Sequence, residues 1–262
     1  MASTIIFTPS GVGGSTTFQT SETAARVATV QDATDTFVMR ATVDTLTNKT
    51  IGAGTGSVPP LLFTSGTNMT TASAGAFEFD GVCFYSAPVA SARGVSPSVM
   101  YSIVATGGFA LQTTAGVQSC FAATGDVWTL AASTTYKFEG TYWIQKATNS
   151  VSVAMAFATG GGASLTSILY TAWGQNTAAD TTGTTPQMTN VDTNASTVVA
   201  AASTTNVWIS FRGLLRTNAA GTWTPQINFS GTAAGTPTML ANSYIMFTPI
   251  GTNTNNILGN VG

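Results

Sequence analysis

Between Thr135 and Gln145 the sequence places large apolar side chains at alternate positions. Tyr136, Phe138, Tyr142 and Ile144 fall on one side, and Lys137, Glu139 and Thr141 on the other. A period of two is the repeat of a pleated strand with one buried and one wet face, and it does not fit the 3.6-residue repeat of a helix. The pattern returns in Val151, Val153, Met155 and Phe157, in Val207, Ile209, Phe211 and Leu215, and in Trp223, Ile227 and Phe229. Further strands are expected over 76–85, 99–105, 117–122, 165–173 and 244–248. Turn clusters such as Gly160-Gly161-Gly162 and Asn218-Ala219-Ala220-Gly221 separate these runs, with no helical period between them. Many short strands at this spacing predict an all-β, jelly-roll-like antiparallel sandwich.

The first fifty residues read differently. Glu22, Arg26, Asp32, Asp35, Arg40, Asp44 and Lys49 put seven of the chain's eighteen charges (8 Lys and Arg, 10 Asp and Glu) into this short stretch. Large apolar residues are too few there for a separate core. Ile5-Ile6-Phe7 predicts a short strand, 10–15 a flexible glycine-rich stretch and 21–30 a brief helix. Gly52-Ala53-Gly54-Thr55-Gly56-Ser57-Val58-Pro59-Pro60 follows, and three glycines with a double proline continue neither a helix nor a central strand. The expected organisation is an extended anchoring arm with linker at 1–58 and a β-sandwich body at 59–262. An arm of this kind becomes ordered by docking, and Arg26, Asp32, Asp35, Arg40, Asp44 and Lys49 are the residues expected to set its register.

Composition narrows the list of partners. Only 7% of the 262 residues are charged, against about a quarter in ordinary domains, and the net charge is -2. A surface so poor in charge has little electrostatic protection against association, so copies of itself or a partner are expected to cover it. With 44% apolar residues, 14 Phe and 5 Trp, the chain has too much hydrophobic content to remain disordered. No basic run is present to neutralise phosphates, which argues against nucleic-acid binding. No apolar run approaches a membrane span, and Met1-Ala2-Ser3-Thr4 lacks the charged start and apolar core of a signal peptide, so synthesis in a cytoplasm without membrane insertion is expected. Cys83 and Cys120 each lie in an apolar strand-like run and read as buried free thiols.

Asp44-Thr45-Leu46-Thr47-Asn48-Lys49-Thr50-Ile51 resembles a phrase that recurs in tail-fibre and minor structural proteins of tailed bacteriophages. Phe77-Glu78-Phe79-Asp80-Gly81 with Phe84-Tyr85, Pro88 and Arg93-Gly94-Val95 looks like the entry strand of a domain found in phage exterior proteins. The run from Leu130 to Gly140 is similar to the central strand of that domain, and Ser243-Tyr244-Ile245-Met246-Phe247 to its last one. Those domains are reminiscent of tumour-necrosis-factor-like jelly rolls, which are trimers. The resemblance covers roughly Phe77 to Ile250 and implies a homotrimeric structural protein on the outside of a virion, assembled in the host bacterial cytoplasm. Two roles are compatible with it: a fibre or spike that binds a host-surface glycan or protein, and a capsid decoration protein that contacts other virion proteins.

Catalysis is not expected. The chain contains no histidine, which removes histidine-based triads and histidine metal sites. A polysaccharide-cleaving tailspike is the remaining enzymatic alternative, and it needs two carboxyls across a cleft. Glu78 and Asp80 share a strand face but read as a solvated strand end, while Glu139 has Lys137 beside it as a surface partner. No glycine run continues into Gly-Lys-Ser/Thr, so no phosphate loop or other cofactor site is expected. Trp223 shares an apolar face with Ile227 and Phe229, whereas Trp143 and Trp208 are candidates for packing between subunits. The polar stretch from Gly174 to Ser196 reads as one long loop, with Asn176, Asp180, Gln187, Asn190 and Asp192 as candidate host contacts.

Overall fold

The computed structural model describes residues 5–7, 16–18, 50–121, 126–146, 149–176, 187–203 and 206–254. Residues Arg26, Asp32, Asp35, Arg40, Asp44 and Lys49, the helix expected at 21–30 and the glycine-rich stretch at 10–15 lie outside the described residues. The chain divides into two units, Met1–Pro60 and Leu61–Gly262. In the first, β1 (Ile5–Phe7) pairs antiparallel with β2 (Thr16–Phe18), Ile6 opposite Thr17. Within the linker, the Thr55 hydroxyl accepts the amides of Ser57 and Val58 at 3.3 and 3.1 Å, closing a tight local turn.

The second unit is all-β, and its described residues contain no helix. A small antiparallel sheet comes first: β3 (Phe77–Phe79), β4 (Phe84–Val89) and β5 (Ala92–Ser96). The single strand expected over 76–85 is thus two strands. The physical reason is Gly81, whose φ of 99° turns the chain where a β-branched residue cannot follow. Asp80 fixes that turn by accepting the Val82 and Cys83 amides at 2.8 Å each and the Tyr85 hydroxyl at 2.7 Å.

Next along the chain are β6 (Met100–Ile103), β7 (Phe109–Ala110), β8 (Gly116–Ser119), β9 (Trp128–Leu130), β10 (Thr134–Gln145), β11 (Val151–Gly160) and β12 (Ser164–Asn176). The last six are β13 (Gln187–Val191), β14 (Thr197–Ser203), β15 (Val207–Ala219), β16 (Gly221–Phe229), β17 (Thr238–Met239) and β18 (Tyr244–Thr252). The larger sheet runs β13-β12-β15-β10. Along the free edge of β10, β18 pairs with Thr134–Thr141 and β17 with Ile144–Gln145; β6 then borders β18, and β7 borders β17. The second sheet runs β14-β11-β16, with β8 and β9 sharing the far edge of β16. From β9 to β12 the chain changes sheet at every step, and it does so again from β13 to β17. This crossing produces a jelly-roll-like sandwich.

The core sits between the two sheets, and the period-two pattern decides what enters it. Tyr136, Phe138, Tyr142 and Ile144 of β10 are buried, and so are Val207, Ile209, Phe211 and Leu215 of β15. From the second sheet come Val153, Met155 and Phe157 together with Trp223, Ile227 and Phe229. A column of stacked rings joins the layers: Tyr136 on Phe247 at 4.4 Å, Phe247 on Trp223 at 5.1 Å, and Trp223 on Phe157 at 4.6 Å. Such stacks add about 0.5–1.5 kcal/mol per pair to the burial of the rings themselves. Glycine on the inner face lets the sheets converge: a Cβ on Gly174 would overlap the Val199 carbonyl of β14.

Candidate interaction surface

The strand register that buries the even-numbered residues of β10 turns the odd-numbered ones outward. Across the larger sheet this produces rows of aligned residues. One row reads Ile103, Tyr244, Thr141, Ser210, Trp173 and Met188; the next reads Tyr101, Met246, Glu139, Arg212, Thr171 and Asn190. Beyond them lie Leu214 beside Leu169, and Trp143 beside Trp208. Tyr101, Ile103, Trp143, Leu169, Trp173, Met188 and Leu214 are all exposed. Seven large apolar side chains on one face of one sheet is more than scattered surface exposure explains.

Charges on this face are few and ordered. The Lys137 ammonium meets the Glu139 carboxylate at 2.8 Å, the surface pairing expected for these two. Arg212, although it is the cross-strand neighbour of Glu139, turns to the Trp173 ring, with its guanidinium carbon 5.8 Å from the ring centre. Between them is a shallow depression of about 230 Å³ lined by Glu139, Thr171, Trp173, Ser210, Arg212 and Tyr244. The Thr171 hydroxyl is itself engaged with Asn190 Oδ1 at 2.8 Å.

The stretch from Gly174 to Ser196 differs from the single loop expected of it. Gly174–Asn176 completes β12 and Gln187–Val191 is β13, paired with β12 from Tyr170↔Val191 to Gly174↔Gln187. Asn176 faces inward and is buried, so it is not an outward contact. Alternation explains this: two residues past Gly174, Asn176 continues the inner series of Ile168, Tyr170 and Ala172. Gln187 is half-buried, with its amide donating to the Val198 carbonyl at 3.4 Å. Asn190 and Asp192 are exposed, and Asp180 lies outside the described residues.

The partner of Asn176 was not singled out from the sequence. Lys146, only 4% exposed, donates from Nζ to Asn176 Oδ1 at 3.0 Å and to the Val151 carbonyl at 3.1 Å. It too continues an inner series, from Tyr142 and Ile144, and that period was the available signal. Burial pushes its ammonium down to about 8.

Among the described residues the carboxylates do not assemble into acid–base pairs. Glu78 accepts Arg93 Nε at 2.8 Å and the Met69 amide at 2.6 Å, so it is a tied structural group rather than a solvated strand end. For Asp80, burial pushes the carboxyl up, but hydrogen bonds from Cys83, Tyr85 and Val82 together outweigh it and hold the group below its ordinary value. Burial raises Asp126, which is enclosed next to Phe121. Cys83 and Cys120 are buried free thiols, both pushed up by burial, which disfavours the reactive thiolate. Among the described residues no three His, Cys, Asp or Glu side chains gather as metal ligands. Trp223 is fully buried, while Trp143 and Trp173 are exposed.

No protein-family model, curated protein or solved structure matches this chain.

Proposed function

We propose that this chain is a non-enzymatic structural protein of a tailed-phage particle. In this reading it is a homotrimer on the virion exterior, anchored through residues 1–58, with the sandwich displayed outward as a short fibre or spike. The observation that carries the reading is the outer face of the larger sheet. Six of its exposed large hydrophobics, Tyr101, Ile103, Leu169, Trp173, Met188 and Leu214, have no cover within the described residues, Trp143 lying beyond them at the end of the sheet, while the whole chain carries only 18 charges to keep copies apart. A face six strands wide and about seven residues tall has a footprint on the order of 500 Å², before side-chain relief is counted. That is comparable to the roughly 800 Å² that each partner contributes to a standard interface. Aromatic residues, Met and Arg on such a face are the usual composition of subunit contacts. The phage assignment rests on the resemblance of Asp44–Ile51 and of the strands between Phe77 and Ile250.

Light scattering at micromolar concentration tests the assembly, and a monodisperse monomer overturns it. One observation favours a second role. In the sequence only the short linker around Gly52–Pro60 separates the charged segment from the sandwich, and this short spacing suits a capsid decoration protein that clamps neighbouring capsomers. Copy number in purified particles separates the two, since decoration requires hundreds of copies and a tail fibre a few tens or fewer.

A further inference from the structure

At one end of the larger sheet lies an open groove of about 670 Å³, a volume within the roughly 300–1,000 Å³ of small-molecule sites. It forms where the segment after β6 and the turn before β18 meet the last residues of β10. Its chemistry is uniform. Trp143 supplies an indole, 43% exposed, while Thr106, Gln145, Thr238 and Asn242 supply hydroxyls and amides, and no charged side chain lines it.

The groove is built on fixed backbone. The Trp143 amide donates to Ser243 Oγ at 2.9 Å; its carbonyl accepts the Leu240 amide at 2.7 Å and the Ser243 hydroxyl at 3.2 Å. Ser243 is fully buried, so the strand beneath the indole is held from both sides. Asn242 occupies a left-handed position, φ 67°, and its amide N–H donates to the Val104 carbonyl at 3.1 Å. The side chains of Thr106, Gln145 and Asn242 make no hydrogen bond to the described residues, which leaves their donors and acceptors free for a ligand.

We propose that this groove binds a neutral saccharide. One ring lies on the Trp143 indole, and its hydroxyls bond to Gln145, Asn242 and Thr106. A sugar ring has an apolar C–H face and a rim of donors and acceptors, and an exposed indole flanked by unpaired amides complements both. An acidic ligand would find no cation in the lining. A purely apolar one would bury amide groups without partners, which costs affinity. The inference rests on the fibre-or-spike reading above, in which the displayed sandwich meets a host surface. It is separable from the rest, because the soluble chain binds sugar whether or not it joins a particle.

The test titrates the full chain with glucose, galactose, mannose, N-acetylglucosamine and their disaccharides, read by tryptophan emission and by saturation transfer to the sugar protons. Glucuronic and sialic acid form a parallel arm. At least one neutral sugar is expected to bind with a millimolar or tighter Kd, and Trp143→Ala and Asn242→Gly each weaken it by about tenfold or more. Asn242→Gly is the cleaner variant, because glycine accepts the φ of 67° and only the side-chain amide is lost. Melting temperature is followed for both. The proposal is overturned if no neutral sugar binds at concentrations up to about 50 mM. Binding unchanged in both variants, or a preference for the acidic sugars, also overturns it. None of these failures alters the mass measured by light scattering, so they are distinguishable from failure of the assembly itself.

Discussion

On the outside of the second sheet, the residues that point away from the core are mostly small or polar, Thr129, Ser152, Ala158, Thr222, Thr224, Gln226 and Asn228 among them, and the exposed larger hydrophobics are the two short side chains Val117 and Val198. On the outside of the larger sheet, the equivalent positions hold Tyr101, Ile103, Leu169, Trp173, Met188 and Leu214. Both sheets bury the same kind of inner face, so the demands of the core do not explain the contrast. Uncovered apolar surface forfeits about 25 cal/mol for each Å² left in water. A face that holds Leu, Ile and Met where its counterpart holds Thr and Asn therefore points to a function that only one face serves. The comparison locates the proposed association on the larger sheet and leaves the second sheet to face solvent.

The largest expected effect comes from breaking the apolar face at its Leu169–Leu214 pair. Leu169 and Leu214 are cross-strand partners and both are exposed, so Leu169→Glu with Leu214→Glu sets two like charges side by side without entering the core. The mass in light scattering is expected to fall to that of one chain, 26.7 kDa, with the β-sheet circular dichroism kept. An unchanged mass would detach this face from assembly. Added salt is expected to leave the native mass nearly unchanged, because the exposed Lys137–Glu139 pair is worth about 1 kcal/mol at most.

Deleting residues 1–58 comes next in size. The body holds its own stacked core, so a folded assembly of unchanged subunit number is expected. Incorporation into particles, measured by quantitative gel or mass spectrometry of purified virions, should be lost. Normal occupancy by the truncated chain would overturn the anchoring role proposed for Arg26, Asp32, Asp35, Arg40, Asp44 and Lys49. Loss of folding would show instead that this segment completes the sandwich.

The readability of this fold varies with strand length. β10, β11, β15 and β16 were legible because each carries three or more apolar residues on one face, enough to fix both the element and its buried face. The two-residue strands β7 and β17 exist only because β10 and each other supply partners, and no local pattern announces them. β13, Gln-Met-Thr-Asn-Val, is polar at most positions and read as loop; it is a strand because the edge of β12 offers it hydrogen bonds. The apolar outer face was hidden for a different reason. Its residues are spread over six strands from Tyr101 to Tyr244, and only the register brings them together. Lys146 and Asn176 were readable in principle, since each sits one period beyond a buried series, but an ammonium and an amide are side chains that solvent ordinarily holds.

That pair gives a smaller and pH-dependent effect. Lys146 titrates at about 8 when folded and near 10.5 when unfolded, so between these values the unfolded chain holds more protons. Its contribution to stability is therefore lowest below pH 8 and rises through that window, by about 3 kcal/mol at most. The buried thiols act in the opposite sense above about pH 9, because their folded values are raised. The contribution is best read as the difference between the native chain and Lys146→Met. Urea midpoints at pH 7.5 and about 10 are expected to favour the native chain relatively more at the higher pH. A pH-independent difference would mean that the ammonium is not buried as described.

The smallest effect is expected on the second sheet, and it sharpens the comparison by being small. Thr224 and Gln226 are half-buried and point outward from β16, where neither makes a side-chain hydrogen bond to the described residues. Substituting Thr224→Glu and Gln226→Glu puts two like charges on this face, matching the charge added at Leu169 and Leu214. Stability should move by roughly half a kcal/mol or less, as for surface positions away from packed features. The mass by light scattering should not change at all. The same number of charges would then dissociate the assembly from one face and be tolerated on the other, which isolates location from charge as the cause. Dissociation by the Thr224 and Gln226 pair would show instead that both faces are covered in the assembly, and that small polar side chains, as well as apolar ones, can form its contacts.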